Sequence, residues 1–371
     1  MNKIKPGKFL YDDDNKRIQA HGGSILYKDG KYYWYGENKE GVFGRSVNDN
    51  TKPAIWHNGV RVYSSIDLYN WHDEGVVMIS DDPANPFYPR NIMDRPHILY
   101  NEKTKKFVMW AKCVTRSVKV GADFESAKYY ISVSDKITGP FEFSHVIDDV
   151  RAGDFDLFTI DSKGYYIGTE NHTVYARELT DDYMHFTNIY STHIEKTRPP
   201  FVREAPCYFM YKSRKFILTS GTSGYFPNPT LTHEIKDLHG EWVELGETCK
   251  GDYEKTSFRA QFSSVFKHPF KKDLYIALGD RWLNDLPYKM DLSGEEMFDG
   301  YFSDEGPSFE ENLLEIYSDE NTSEATYVWL PIKFDSEGNP FIEWLSEWRI
   351  EDFEWLKNWA FKSSVFICSS I

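Results

Sequence analysis

The sequence predicts an all-β protein folded as a five-bladed β-propeller, and three observations carry that expectation. Helical periodicity is scarce along the 371 residues, whereas short alternating or aromatic-rich runs recur between Gly, Asp, Asn and Lys turns. Five segments share one plan: a distinctive residue, a short apolar strand, a polar turn, then an aromatic or aliphatic strand. Their starts lie about 50 to 75 residues apart, which leaves each unit room for two more strands and a loop.

The units follow in order. HGGSILYKDGKYYWYGE (21–37) turns at Lys28-Asp29-Gly30, and its outer pair is VRVYSSIDLYNWHDEG (60–75). DRPHILYNEKTKKFVMWAK (94–112) is followed by the pair YYISVSDKITGPFEFS (129–144). GDFDLFTIDSKGYYIGTE (153–170) turns at Asp161-Ser162-Lys163-Gly164, and EAPCYFMYKSRKFILTSG (204–221) repeats the plan. QFSSVFKHPFKKDLYIALGDRW (261–282) opens the last unit, which YVWLPIKFDSEGNPFIEW (327–344) completes. Five four-stranded sheets around an axis make a propeller. A β-sandwich of similar strand count is the alternative. Residues 1–371 read as one domain with its blade core at about 8–350, a long insertion at 284–326 and a C-terminal extension at 351–371.

A hydrophobic fraction of 40% suffices for a sizeable core, and a net charge of −15 argues against nucleic acid or an anionic membrane as partner. The acidic runs at 12–14, 303–305 and 319–324 read as solvated loops. Cys113, Cys207, Cys249 and Cys368 form no C-x-x-C pair, so ordinary thiols are expected, with no metal and no cofactor. The N-terminus lacks an apolar h-region, and no stretch approaches 18 apolar residues. The expectation is a cytoplasmic chain, or a secreted one if a leader precedes it.

In a propeller the first strand of every blade lines the central channel, so residues at those strand starts converge on one mouth. The positions are His21/Gly22, Asp94, Asp154, Glu204 and Gln261. Four offer polar side chains; the first, His21-Gly22-Gly23, has no carboxylate.

The motifs AHGG…YYWYGE, SSIDLYNW, RPHILYNEKTKKFVMW, TGPF, REAP, SGTSGYFPN and GDRW fall in an order that resembles glycoside hydrolase family 43. Within it the exo-β-1,3-galactanase branch is most similar, over about residues 8–348. The resemblance implies a five-bladed propeller, an oligosaccharide or polysaccharide substrate and an inverting mechanism. It implies Glu204 in REAP as general acid and Asp154 in AGDFDLF as the residue that tunes its pKa. The family's first-blade Asp base would fall at His21-Gly22. The galactanase branch also lacks that Asp, and Gln261 in RAQFSS matches the Gln proposed to replace it. Asp94-Arg95-Pro96 stands where the branch has Glu-Arg-Pro, Lys112 follows Trp110-Ala111 where it has Trp-Met-His, and Gly153 stands where an Arg precedes the Asp.

Inversion requires a protonated acid beside the leaving oxygen and a group opposite to activate water. Asp154 beside Glu204 would raise its pKa by like-charge repulsion; a structural ion pair with Arg203 or Arg95 is the other reading of Glu204. Gln261 has no useful basicity, yet its oxygen can hold a water, or its imidic tautomer act; Asp94 or Glu37 could carry the proton. Substrate contacts are expected from Asp94, Glu37 and Asn171, each of which also fits an ion pair, turn or cap. Trp282 in GDRW is the aromatic best placed to stack on a sugar face, and His21 could bind sugar, water or an ion, with a structural role as its default. An α-L-arabinofuranosidase or β-xylosidase, and a carbohydrate-binding propeller without catalysis, are the competing functions.

Overall fold

The computed structural model describes residues 2–42, 55–114, 126–196, 201–284, 286 and 322–356. These form a five-bladed β-propeller whose four-stranded blades are antiparallel with each strand hydrogen-bonded to its neighbour in sequence, blade five carrying one added edge strand. Blade one is β1 (His21–Lys28), β2 (Lys31–Glu37), β3 (Val60–Ser65) and β4 (His72–Met78). Blade two is β5 (Ile92–Asn101), β6 (Lys106–Val114), β7 (Lys128–Ser134) and β8 (Glu142–Ile147). Blade three comprises β9 (Phe155–Ile160), β10 (Lys163–Glu170), β11 (Thr173–Leu179) and β12 (Phe186–His193). Blade four comprises β13 (Arg203–Tyr211), β14 (Arg214–Gly221), β15 (Leu231–Ile235) and β16 (Trp242–Glu247). Blade five adds a two-residue edge strand, β17 (Cys249–Lys250), parallel to its outermost β21 (Pro340–Glu343); β20 (Thr326–Phe334), β19 (Tyr275–Arg281) and β18 (Gln261–Lys267) lead inward.

The alternating residues of each sheet bury against the next blade, which is why both faces of these strands are apolar. Each blade-to-blade joint has its own cluster. Trp110, Tyr129, Phe155 and Tyr166 fill the joint between blades two and three. Phe158, Ile167, Tyr208 and Ile217 fill the next, and Phe209, Phe216, Tyr275 and Val328 the one after. Tyr35, Val62, Met93 and Phe107 join blades one and two. The joint that closes the ring, between blades five and one, is the richest in tryptophan: Trp34 lies 4.6 Å from Trp329, 4.5 Å from Tyr327 and 5.4 Å from Trp71, ring centre to ring centre. The N-terminal segment reinforces that closure. Ile4 exchanges backbone hydrogen bonds with Trp348, the Gly7 amide donates to the Tyr327 carbonyl, and Asp13 donates to that of Trp71.

Most of the expected insertion at 284–326, and the end of the extension at 351–371, lie outside the described residues, as does Cys368. Cys113, Cys207 and Cys249 are free thiols. No described helix is long and apolar enough to cross a membrane.

Because Trp34 is 2% exposed at the closing joint, Trp34→Ala should lower the unfolding free energy by about 3–5 kcal/mol, measured by chemical denaturation.

Candidate active site

Three of the five inner strands begin with the same device. In β1 the register jumps between His21 and Ser24, in β5 between Asp94 and His97, and in β13 between Glu204 and Cys207. Each jump sets two residues against one on the partner strand, a β-bulge. Its first residue is left-handed in all three: Gly22 (φ 63°), Arg95 (φ 54°) and Ala205 (φ 49°). Two of the three are not glycine, and such strain is retained where it aims functional side chains. The bulge turns Asp94 and Glu204 toward the mouth of the channel.

That mouth holds a cavity of about 450 Å³, within the range of small-molecule sites. Glu37, Asp94, Asp154, Asn171, Glu204, Gln261 and Trp282 all line it, joined by Arg95, Lys112 and Tyr225. Residues from every blade therefore meet there.

His21 is not brought to it. Fully buried, it pairs through Nδ1 with Asp280 at 2.9 Å, faces Gln19 and the Tyr327 hydroxyl through Nε2, and stacks on the Tyr327 ring. This is a structural histidine, and no sugar contact falls to it. Trp282 is only 7% exposed, flanked by His21 and Tyr225 with ring centres 5.4 and 4.9 Å away. Tyr225, from the SGTSGYFPN loop, is the more open aromatic on that wall; loop geometry hid it from a strand-based reading.

The blank in blade one is filled from the second strand. Glu37 pairs across from His21, and a Cβ at Gly22 would stand 2.5 Å from Glu37 Oε1. The Glu37 carboxylate also accepts from Lys39 Nζ at 2.8 Å and the Arg95 amide at 3.0 Å. Burial pushes Glu37 upward while Lys39 opposes it.

Asp154 sits between two cations: Arg95 lies 3.1 Å from one oxygen and Lys112 2.9 Å from the other. Burial works against its charge, yet Arg95 and Lys112 hold the carboxyl down to about 2. Asp94 accepts from the Trp56 indole at 2.9 Å and lies 3.2 Å from Lys112; the nearby cations outweigh burial and keep it below its usual value. Lys112 entered the sequence reading only as a departure from a motif. Hairpin register was the signal that could have found its partner, since Lys112 pairs across from Asp94. Gly153 also has a local cause. A Cβ there would meet the Thr169 carbonyl at 2.0 Å, so Arg95 and Lys112, not residue 153, supply the positive charge beside Asp154.

Glu204 is half-buried and accepts from the Gln261 amide at 3.1 Å. Arg203 turns away from it, donating to Thr219 and the Pro229 carbonyl. Burial, with the Asp154 charge adding, pushes Glu204 up to about 8. The Gln261 amide also donates to Ser220 at 3.0 Å, and its oxygen accepts from Arg95 at 2.5 Å. Asn171 and His172 are the two left-handed residues of the β10–β11 turn (φ 46° and 70°), so Asn171 is a turn residue and a wall residue at once. Among the described residues no group of His, Cys, Asp and Glu is arranged to hold a metal.

A carboxyl whose folded pKa lies above its unfolded value makes the protein less stable as pH rises between the two. Glu204→Gln removes that cost. Its gain in melting temperature over the parent should grow from about pH 4.5 to about pH 8 and then level, as followed by thermal unfolding.

Comparison with known proteins agrees with this geometry. The family model for glycosyl hydrolases family 43 matches residues 17–261. A solved family 43 β-1,3-galactosidase shares 27% identity over 95% of this chain, at a TM-score of 0.73, and the chain spans 65% of its length. A second family 43 β-1,3-galactosidase, bound to galactodeoxynojirimycin, shares 26% over 94% of this chain and 100% of its own, at 0.74. An exo-β-1,3-galactanase from Phanerochaete chrysosporium shares 22% over 94% of this chain and 68% of its own, at 0.70, a likeness of fold. No curated protein sequence matches. A propeller whose inner strands gather carboxylates at one mouth, matched by that model over residues 17–261, belongs to glycoside hydrolase family 43, and the chain is a glycoside hydrolase.

Proposed function

We propose that the chain is an inverting, exo-acting hydrolase of β-1,3-linked galactan or galacto-oligosaccharides, with Glu204 as general acid. The observation that carries this reading is the placement of Glu204: a carboxyl lining a sugar-sized cavity with the clamped Asp154, where burial and the Asp154 charge push its pKa up to about 8. Its proton passes to the glycosidic oxygen as the bond to the anomeric carbon breaks. The β-1,3-galactosidases similar to this chain at 26–27% identity support galactose as the sugar. Asp94, Glu37 and Asn171 would bind its hydroxyls, and the Tyr225–Trp282 wall its apolar face.

Water must attack from the opposite side. Gln261 is proposed to hold it once a bound sugar parts its amide from Glu204, to which that amide donates at 3.1 Å. Arg95 takes one lone pair of the Gln261 side-chain oxygen, and a carbonyl oxygen has two. An amide is not a base, so the proton of that water needs a carboxylate. Glu37 is the reading that one observation favours, because its carboxylate projects into the space a side chain at Gly22 would take.

Incubation with β-1,3-galactobiose should release galactose whose first-formed anomer, read by proton NMR, is inverted. Binding without release would instead make the protein a carbohydrate-binding propeller, and faster release of arabinose or xylose from chromogenic substrates would reassign the sugar. Gln261→Ala should cut turnover at least 100-fold while galactose still binds by calorimetry; full turnover in that variant removes Gln261 from the water. Glu37→Gln should also lose turnover, and retained activity would exclude it as proton acceptor.

A further inference from the structure

Lys112 ties two blades together by charge. It stands on β6 across from Asp94 of β5, and its ammonium reaches Asp94 at 3.2 Å and Asp154, at the entry to β9, at 2.9 Å. Arg95 holds the other oxygen of Asp154 and the Trp56 indole the other oxygen of Asp94. Each of these acids thus has both oxygens engaged by donors, which favours the charged form. Glu37 and Lys39 make a separate pair. Glu204 is different: among the described residues no cation pairs with it, and its hydrogen-bond donor is the neutral Gln261 amide. Buried charges persist where they are paired, and an acid left over when the cations are used up keeps its proton.

The geometry points to Lys112 as a positioning residue, one that holds Asp94 and Asp154 as carboxylates and, by countering their charge, limits how tightly Glu204 keeps its proton. The inference deepens the reading of Glu204 as proton donor and rests on it for its functional meaning. Its physical content, the order in which these acids ionise, stands apart from turnover. Loss of the Lys112 charge makes the surroundings more negative, so Glu204 must ionise at higher pH. Loss of the Asp94 charge makes them more positive and has the opposite effect. The other groups facing these acids are Arg95 and His97 from β5, Cys113 from β6, Tyr129 from β7, Cys207 from β13, His57 and the Glu37–Lys39 pair, with Arg151 and His172 at the cavity wall; all of these residues stay in place in both variants.

The test is a carbon-13 NMR titration of glutamate carboxyls, with the Glu204 signal assigned through Glu204→Gln. The parent should titrate Glu204 near 8. Lys112→Met should move it up by about one unit, Lys112→Arg should return it toward the parent, and Asp94→Asn should move it down. An unmoved Glu204 in Lys112→Met, or a shift of the same sign in Lys112→Met and Asp94→Asn, overturns the inference. Should Lys112→Met fail to fold, the direction in Asp94→Asn decides: downward supports the inference, unchanged or upward overturns it. Failure of the hydrolase reading is seen separately, as absent galactose release from β-1,3-galactobiose by a parent protein whose carboxyls titrate in the stated order.

Discussion

The site depends on the clamp around Asp154. Arg95 and Lys112, both from blade two, grip a carboxylate at the start of blade three and hold it charged in a place where burial alone would neutralise it. Once that charge is fixed, the half-buried Glu204 from blade four has a negative neighbour and no cation of its own among the described residues. Two acids a short distance apart are thereby driven to opposite protonation states, the separation that acid catalysis near neutral pH requires. Asp94 and Glu37 complete the pocket, each with its own cation, Lys112 and Lys39. Truncating any member of such a network leaves an uncompensated charge, so pocket electrostatics and fold stability are coupled here.

Backbone geometry makes the clamp possible. The same two-against-one bulge opens β1, β5 and β13, and in β5 and β13 the side chain before its left-handed residue, Asp94 or Glu204, lines the channel mouth. In β5 that left-handed residue is Arg95 itself, so one strained position sends its amide to Glu37, its guanidinium to Asp154 and Gln261, and its neighbour Asp94 to Lys112. In β1 the left-handed residue is Gly22, and the freed space is taken by Glu37 from the neighbouring strand. A carboxylate thus stands beside the start of blade one even though β1 has none, carried by β2.

Much of this was legible in the sequence, because hairpins repeat. The period-two patterns and turn residues marked the inner and outer strands of blades one, two and five, and the strand-start rule picked out Asp94, Asp154, Glu204 and Gln261, which line one cavity. What escaped depends on distances between blades or across strands. Lys112 looked like a deviation because its partners, Asp94 across the hairpin and Asp154 in the next blade, are set by register and ring geometry. His21 occupies a strand start like the acids, but Asp280, across from Gln261 in β18, draws it inward as a buried pair. Trp282 proved to be packed between two rings, with the loop residue Tyr225 more open beside it. No period in the sequence encodes where such a loop returns.

The measurement that bears most directly on this account is a joint neutron and X-ray structure of the deuterium-exchanged protein near neutral pH. A deuteron should be seen on Glu204, with none on Asp154 or Asp94 and three on Lys112. A bare Glu204, or a deuteron on Asp154, would contradict it.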